Sequence, residues 1–283
     1  MPTSFAPVLI FPGDIDSTIR ERNPPDYACR LLAEGDSWFS FGSWRLQSLP
    51  QHLRFSRDTI IVTLAEPGDT INRMSNIAKN PALAMQLSNA FGYRWDAILL
   101  SGGGNDLIDN AGAIIPGSAR QQSANKAAED YCNLNVLRGT LNAVARGYAA
   151  IVGLRDRPKV SPCVGKPIII HTYDHCTPRE APARFAFITL GPWLFPAMQA
   201  ARIPPGRWND VADFIMDALA ERLLGLEQTL PNFHVVETRG ATLRAAAGAK
   251  GTSNDSENEI HLTKGGCRKV AARISARLET LLP

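Results

Sequence analysis

The chain has 283 residues, of which 45% are hydrophobic and 20% are charged. This length and composition exclude a disulfide-stapled miniprotein and a disordered chain, and they favour one large globular domain over residues 1–283. Thirty basic and 27 acidic residues leave a net charge of +3, which is too small to make a nucleic-acid-binding or membrane-binding surface by itself, so no nucleic-acid partner is expected.

The amino-terminal residues 1–14 combine an apolar run with two early prolines and no positively charged leader, which is a poor fit to a secretory signal. The longest uncharged apolar stretch, residues 185–201, is interrupted by Gly191, Pro192 and Pro196 and is shorter than the roughly 20 residues that span a bilayer. These features predict a soluble, cytoplasmic protein without an integral membrane segment, and they leave open that the chain is the mature form of an exported one.

Five short runs rich in Ile, Val and Leu have the pattern of strands buried on both faces, at residues 29–33, 59–64, 97–100, 167–171 and 233–236. Helical patterns lie between and after them, at residues 44–53, 71–91, 123–154, 208–230 and 263–282. This alternation predicts a mostly parallel five-stranded sheet in a three-layer α/β/α sandwich. A long irregular insertion with six prolines, residues 177–207, follows the fourth strand.

Small and polar residues stand directly after the predicted strands. Gly35-Asp36-Ser37 follows the first strand, Gly68 follows the second, and the Gly-rich residues 102–106 follow the third. In an open parallel sheet the ligand crevice lies at the carboxyl ends of the strands, so these residues are expected to share one site. The loop before the last helix adds His261, which is held at the same end of the sheet.

These residue types suit nucleophilic catalysis. A serine hydroxyl needs an adjacent base to take its proton and donors aimed at the oxyanion that develops on the attacked carbonyl. Ser37 is the candidate nucleophile and His261 the candidate base, while the amides of Ser37 and Gly68 and the side chain of Asn105 are candidate oxyanion donors. The GxSxG elbow of α/β-hydrolases is absent, because Ser37 lies in the sequence GDSWF.

With these blocks in this order the chain resembles the SGNH, or GDSL-type, serine hydrolases, a family named for its Ser, Gly, Asn and His. Residues 35–37 match its first block, Gly68 the second, residues 103–106 the third and His261 the last. The resemblance implies a flavodoxin-like fold and hydrolysis of carboxylic esters through an acyl-enzyme, without a metal or organic cofactor. It also implies that His261 acts first as general base and then as general acid.

One position departs from the family pattern. The family usually places an aspartate three residues before its histidine, and here that residue is Asn258. A neutral amide can accept a hydrogen bond from the ring and fix its tautomer, but it cannot stabilise the imidazolium by charge; in serine proteases the equivalent change costs about 10⁴ in turnover. Asp255, Glu257, Glu259 and a backbone carbonyl therefore stay open as alternatives that orient the ring.

Other chemistry has weaker support. The glycines at 102–104 are not part of a GxGxxG or P-loop motif, so nucleotide binding is not expected. His171, His175 and Cys176 lack a second pair of ligands at zinc-site spacing, so we expect them to pack or to line the crevice and expect no metal. The cysteines are odd in number and form no CxxC pair, which favours reduced thiols: Cys29, Cys132, Cys163, Cys176 and Cys267.

The sequence limits the substrate only to a chemical class. An ester of a small molecule, a lipid or a carbohydrate fits the resemblance, and the alternatives are an acyltransferase with the same centre or, because of Asn258, a silent ligand-binding protein of the same fold. The insertion at residues 177–207 carries many apolar side chains. We expect Trp193 and Phe195 to line the acyl pocket, with a contact between subunits of a homo-oligomer as the alternative.

Overall fold

A computed structural model of the chain describes residues 4–40, 47–90, 93–117, 126–185 and 188–282. Within these residues six strands form a central sheet in the order β1-β3-β2-β4-β5-β8, and every neighbouring pair is parallel. The six strands are β1 (Val8–Ile10), β2 (Cys29–Gly35), β3 (Thr59–Thr63), β4 (Ala97–Ser101), β5 (Ile168–His171) and β8 (Phe233–Val236). A separate antiparallel hairpin consists of β6 (Ala183–Phe185) and β7 (Ile188–Leu190).

The predicted α/β class and the five predicted strands are confirmed, but the sheet has a sixth strand that the sequence analysis missed. Strand β1 pairs with β3 at the edge of the sheet, with Val8 opposite Ile60. It has three residues and ends just before Pro12, so its apolar run is too short to show a strand period. The inner strands β3 and β4 are buried at every position, which explains why they read as continuous apolar runs.

Helices cover the sheet in two groups. The helices are α1 (Ile71–Met74), α2 (Pro81–Gln86), α3 (Gly104–Asp109), α4 (Ala111–Ile114), α5 (Leu134–Arg155), α6 (Phe195–Ala200), α7 (Trp208–Glu227) and α8 (Lys264–Leu281). Helix α5 packs against α1, α3 and α7, whereas α8 packs against β8 and the 3₁₀ turn Leu49–His52. The result is the predicted three-layer sandwich.

The long helical patterns differ in outcome. Those at 208–230 and 263–282 are confirmed as α7 and α8. The pattern at 71–91 is broken, because Pro81 disfavours helix at the residue before it and starts α2 anew. The pattern at 123–154 becomes a helix only from Leu134, where the Asn133 side chain caps the first turn.

Four predicted segments reach residues outside the described part of the chain: three helical patterns at 44–46, 91 and 123–125, and the insertion at 186–187. The described remainder of the pattern at 44–53 is only the 3₁₀ turn Leu49–His52, which has Pro50 in its first turn, so the helix predicted there is wrong over those residues. The insertion at 177–207 is also more regular than expected, since it contains the β6–β7 hairpin and helix α6.

The strand order places a topological switch point between β2 and β4. The chain passes from β2 to β3 on one side of β2 and then crosses to β4 on the other side. Gly35 and Ser101 are paired at the carboxyl ends of these two strands. A crevice for ligands is expected at this point in an open parallel sheet.

Candidate active site

Ser37 lies in a tight turn that leaves the end of β2. The carbonyl oxygen of Asp36 accepts the amides of Phe39 and Ser40, at 3.0 and 2.9 Å, and one side-chain oxygen of Asp36 accepts the amide of Trp38 at 3.0 Å. These three bonds close the turn on both sides of Ser37. The turn presents the serine hydroxyl to the imidazole of His261, whose Nε2 lies 2.8 Å from the Ser37 Oγ.

Asn258 fixes both the orientation and the tautomer of His261. Its Oδ1 accepts the backbone amides of Ile260 and His261 at 3.1 and 2.9 Å and lies 3.0 Å from the His261 Nδ1. Only the amide oxygen can accept from two N–H groups, so this oxygen faces the ring and the Nδ1 carries the proton. The Nε2 is then unprotonated and can accept the hydroxyl proton of Ser37.

Burial keeps His261 neutral. The ring is 7% exposed, and desolvation lowers its pKa to about 4. The edge of the Trp193 ring packs against the imidazole with 5.4 Å between ring centroids. A buried, neutral imidazole with a bare nitrogen toward a hydroxyl is arranged as a general base.

The acidic alternatives to Asn258 face elsewhere. The carboxylate of Asp255 accepts the Lys269 Nζ at 2.5 Å and the Leu243 amide at 2.6 Å, so the structure does not bring it to His261. Glu257 bonds through its backbone amide to the His261 carbonyl.

Glu259 is the third acidic alternative, and its carboxylate accepts four backbone amides, those of residues 193–195 and of Arg179. These donors lie in the insertion, and among the described residues the Glu259 carboxylate makes no hydrogen bond to the ring of His261. Among the described residues, Asn258 is therefore the group that bonds the His261 Nδ1.

The candidate oxyanion donors come from three strand ends. Asn105 lies in the first turn of α3, and its side-chain nitrogen donates to the Asp69 carbonyl at 2.9 Å, which leaves a second N–H for a ligand. Gly68 has φ +80°, a left-handed conformation that favours glycine. Within the part of the chain that the structure describes, the amides of Ser37 and Gly68 have no hydrogen-bond acceptor.

A cavity opens beside Ser37 and Asn105. The cavity and the open solvent at its mouth together amount to about 520 Å³. Its walls are mainly apolar, and the side chains that give them this character are Leu107, Ile108, Leu194, Ile215, Met216 and Ile260. Asp36, Tyr173 and Asp174 contribute the polar part of the lining. Such a pocket suits an apolar group next to a reacting centre.

The aromatic residues expected to line the pocket have other contacts. Trp193 packs on His261, and Phe195 packs edge to face on Trp208 with 5.4 Å between ring centroids. Leu194, between them, does reach the cavity. Ile215 and Met216 of α7 also line the cavity and were not predicted, because their only signal in the sequence is their place in an amphipathic helix.

The remaining candidates have structural contacts. His175 pairs with Asp217 at 2.8 Å, and Cys176 lines the cavity as a free thiol whose pKa burial raises to about 12. His171 is fully buried beneath the turn of Ser37.

All five cysteines are free, and over the described ranges no three His, Cys, Asp or Glu side chains are grouped as metal ligands. Over the same ranges, no helix has the length and apolar character needed to cross a membrane.

Comparison with solved structures identifies the fold. The crystal structure of the lipase Lip_vut3 from a goat rumen metagenome aligns with a TM-score of 0.54 at 14% identity, over 88% of this chain and 97% of that one. A family 3 carbohydrate esterase from Clostridium thermocellum aligns with a TM-score of 0.48 at 13% identity, over 90% of this chain and 99% of that one. An aryl esterase from M. smegmatis aligns with a TM-score of 0.44 at 12% identity, over 90% of this chain and 100% of that one. No protein-family model and none of the curated proteins compared matches the sequence. The chain therefore shares its fold with the goat rumen lipase.

Proposed function

We propose that the protein is a serine hydrolase of the SGNH type that cleaves carboxylic esters through an acyl-enzyme. The observation that carries this proposal is the 2.8 Å contact between the Ser37 Oγ and the His261 Nε2, with the His261 Nδ1 bonded to Asn258. A nucleophile bonded to a base that a third group orients is the arrangement by which serine is activated.

The first half of the proposed reaction acylates the enzyme. His261 takes the hydroxyl proton as the Ser37 Oγ attacks the carbonyl carbon of the ester, which gives a tetrahedral intermediate and an imidazolium. The oxyanion accepts hydrogen bonds from the amides of Ser37 and Gly68 and from Asn105. The intermediate then collapses to the acyl-enzyme, and the imidazolium gives its proton to the departing alkoxide, so that an alcohol leaves.

The second half regenerates the enzyme. His261, neutral again, takes a proton from a water molecule that attacks the acyl carbon. The new tetrahedral intermediate releases a carboxylic acid as the Ser37 Oγ recovers its proton from the imidazolium. Every proton transfer in this scheme passes through His261.

The apolar cavity supports a preference within the ester class. Leu194, Ile215 and Met216 give it walls that favour a hydrocarbon chain over a sugar ring, since each buried methylene is worth about 0.8 kcal/mol. The ester group has to lie at Ser37, at the polar end of the cavity. We infer that the preferred substrates carry an apolar acyl chain longer than acetyl.

A fluorophosphonate probe tests the proposed nucleophile. We expect one covalent adduct per chain on the peptide that contains Ser37, and none in the Ser37→Ala variant.

Hydrolysis of esters of graded acyl length then tests the activity, and competition by an added alcohol separates hydrolysis from acyl transfer. A wild-type chain that neither binds the probe covalently nor cleaves any ester would instead support a silent binding protein.

A further inference from the structure

A buried polar network lies beneath the turn of Ser37, and the proposed mechanism does not use it. One side-chain oxygen of Asp36 lies 2.9 Å from the Ser101 Oγ and also accepts the Trp38 amide. The second oxygen of Asp36 bonds the hydroxyl of Tyr173. Asp36, Ser101 and Tyr173 come from the ends of β2 and β4 and from the loop after β5, so the network joins three strands at the switch point.

His171 extends the network inward. Its Nε2 lies 3.0 Å from the Ser101 Oγ, and its Nδ1 lies 2.8 Å from the Thr172 carbonyl. Because a carbonyl only accepts, the Nδ1 carries a proton. In a neutral ring the Nε2 is then an acceptor, and Ser101 has to donate to it.

The three shortest side-chain contacts of the network need one more proton than its hydroxyls supply; a fourth, longer contact joins the Ser101 Oγ and the Tyr173 hydroxyl at 3.3 Å. Three short contacts need a proton each: Asp36 with Tyr173, Asp36 with Ser101, and Ser101 with His171. The two hydroxyls supply two, so without a third proton one contact would join two bare acceptors. The extra proton sits either on the Asp36 carboxyl or on the His171 ring.

Burial decides between these positions. Ser101 and His171 are 0% and 1% exposed. A proton on His171 would leave an imidazolium beside an Asp36 carboxylate, and both charges would have to be desolvated. Desolvation raises the pKa of Asp36 to about 6 and lowers that of His171 to about 4, so below about pH 6 the proton belongs to Asp36. The other titratable groups acting on Asp36 are Asp106 of α3, which opposes its ionisation, and Tyr148 of α5, which is neutral.

We propose that Asp36 is a positioning residue that works as a neutral carboxylic acid, closing the network through Ser101 and holding the turn that presents Ser37. The carboxyl is one residue from the nucleophile and bonds the Trp38 amide on its other side. Deprotonation removes one bond from the network and places an anion next to the site where the oxyanion forms. Acylation therefore slows as pH rises through the titration of Asp36.

The role is distinct from catalysis. Ser101 and His171 resemble a second serine–histidine pair, but their burial keeps them from any substrate. Asp36 acts through the turn, so its loss changes kcat more than KM. The kinetic part of the inference rests on the proposed ester hydrolysis, whereas the protonation of Asp36 does not.

The test combines a titration with kinetics. Carboxyl-¹³C aspartate is incorporated into the full chain, and Asp36→Asn identifies the Asp36 signal. We expect that signal to titrate near pH 6, with the ¹⁵N signals of His171 staying those of a neutral ring. An Asp36 signal that titrates in the ordinary range near pH 4, or a His171 imidazolium at neutral pH, would overturn the proposal even for a chain with no esterase activity.

The kinetic arm uses Asp36→Asn as the matched variant. Its amide oxygen can accept the Trp38 amide, and its NH₂ can donate to the Tyr173 oxygen. The Tyr173 hydroxyl can then donate to the Ser101 Oγ, 3.3 Å away, so that Ser101 still donates to His171 without a titratable group, although the direct bond between residue 36 and Ser101 is lost. We expect the wild type to lose kcat above about pH 6 and Asp36→Asn to show no such loss, while Asp36→Ala loses about 10- to 100-fold in kcat at every pH. If Asp36→Asn lost kcat above about pH 6 as the wild type does, the proposed role of Asp36 would be contradicted.

Discussion

Asn258 does with a neutral amide what an aspartate usually does in this position. Its oxygen is held by two backbone amides, so the imidazole of His261 is kept in the reactive tautomer without a charge. In serine proteases much of the cost of the same substitution comes from the wrong tautomer, and that part of the cost does not arise here. What this site lacks is the electrostatic stabilisation of the imidazolium.

Asn258→Asp should therefore raise the pKa of His261 above about 4 and raise kcat. An ionised acceptor bonds the ring more strongly than a neutral one, which corresponds to about a tenfold increase in kcat at neutral pH. On the acid side, the wild type should lose kcat/KM as pH falls through about 4, because the base has to be neutral. In Asn258→Asp the same acid-side loss of kcat/KM should begin at a higher pH than in the wild type. Circular dichroism at each pH checks that the chain stays folded.

Asn105→Ala tests the oxyanion donor. The expected result is a loss of about 10² to 10³ in kcat with little change in KM, because the second N–H of Asn105 would bond the oxyanion and not the ground-state ester. Steady-state kinetics on one ester is sufficient. A raised KM at unchanged kcat would instead assign Asn105 to substrate binding.

Single residues were predictable to the extent that they belong to a local motif. Ser37 and His261 stand in recognisable blocks, and the structure brings them together. The network of Asp36 with Ser101 and Tyr173 was not predicted, because its partners are 65 and 137 residues away along the chain. A sequence shows that a polar residue ends a strand, but it does not show which other strand end supplies the partner.

Helix α7 forms one wall of the cavity, and this gives the proposed preference for longer acyl chains a structural cause. Met216→Trp should fill the space and abolish the gain of about fourfold in kcat/KM that each added methylene gives, while activity on acetyl esters survives. Trp193→Ala is the matched control, since Trp193 contacts His261 and does not line the cavity. It should lower kcat for all acyl lengths alike, and a selective loss for long chains would show that Trp193 binds substrate after all.

Glu259 ties the insertion to the loop that carries His261. Its buried carboxylate accepts backbone amides at the start of α6, at 3.0 Å from Leu194 and 2.8 Å from Phe195. Glu259→Gln leaves one oxygen for these donors and should lower the free energy of unfolding by about 1 to 3 kcal/mol in urea denaturation. Glu180→Gln removes an exposed partner of Lys250 and should leave stability nearly unchanged. Equal effects of the two substitutions would contradict this role.

Among the helices and strands, the elements that are buried on both faces were the ones predicted most accurately from the sequence. Strands β2 to β5 each have an apolar central run because both faces are covered, and they were predicted correctly. The break between α1 and α2 and the hairpin of the insertion depend on turns, prolines and contacts with the rest of the chain. An apolar period alone does not encode these, so the helix at 71–91 was predicted too long.

The whole fold serves to bring two distant residues to one point. Ser37 and His261 are separated by 224 residues, and they meet because β2 and α8 end and begin at the same edge of a parallel sheet. The extra edge strand β1 is remote from the switch point between β2 and β4 and leaves that edge unaltered.

A double-mutant cycle on Ser37 and His261 tests most directly whether they form one catalytic unit. Ser37→Ala and His261→Ala should each lower kcat for an ester by about 10⁴ or more, and the double variant should be hardly worse than either, because each single change already disables the pair. Circular dichroism has to show that all three variants fold. Losses that add up in the double variant, or substantial turnover by Ser37→Ala, would contradict the account.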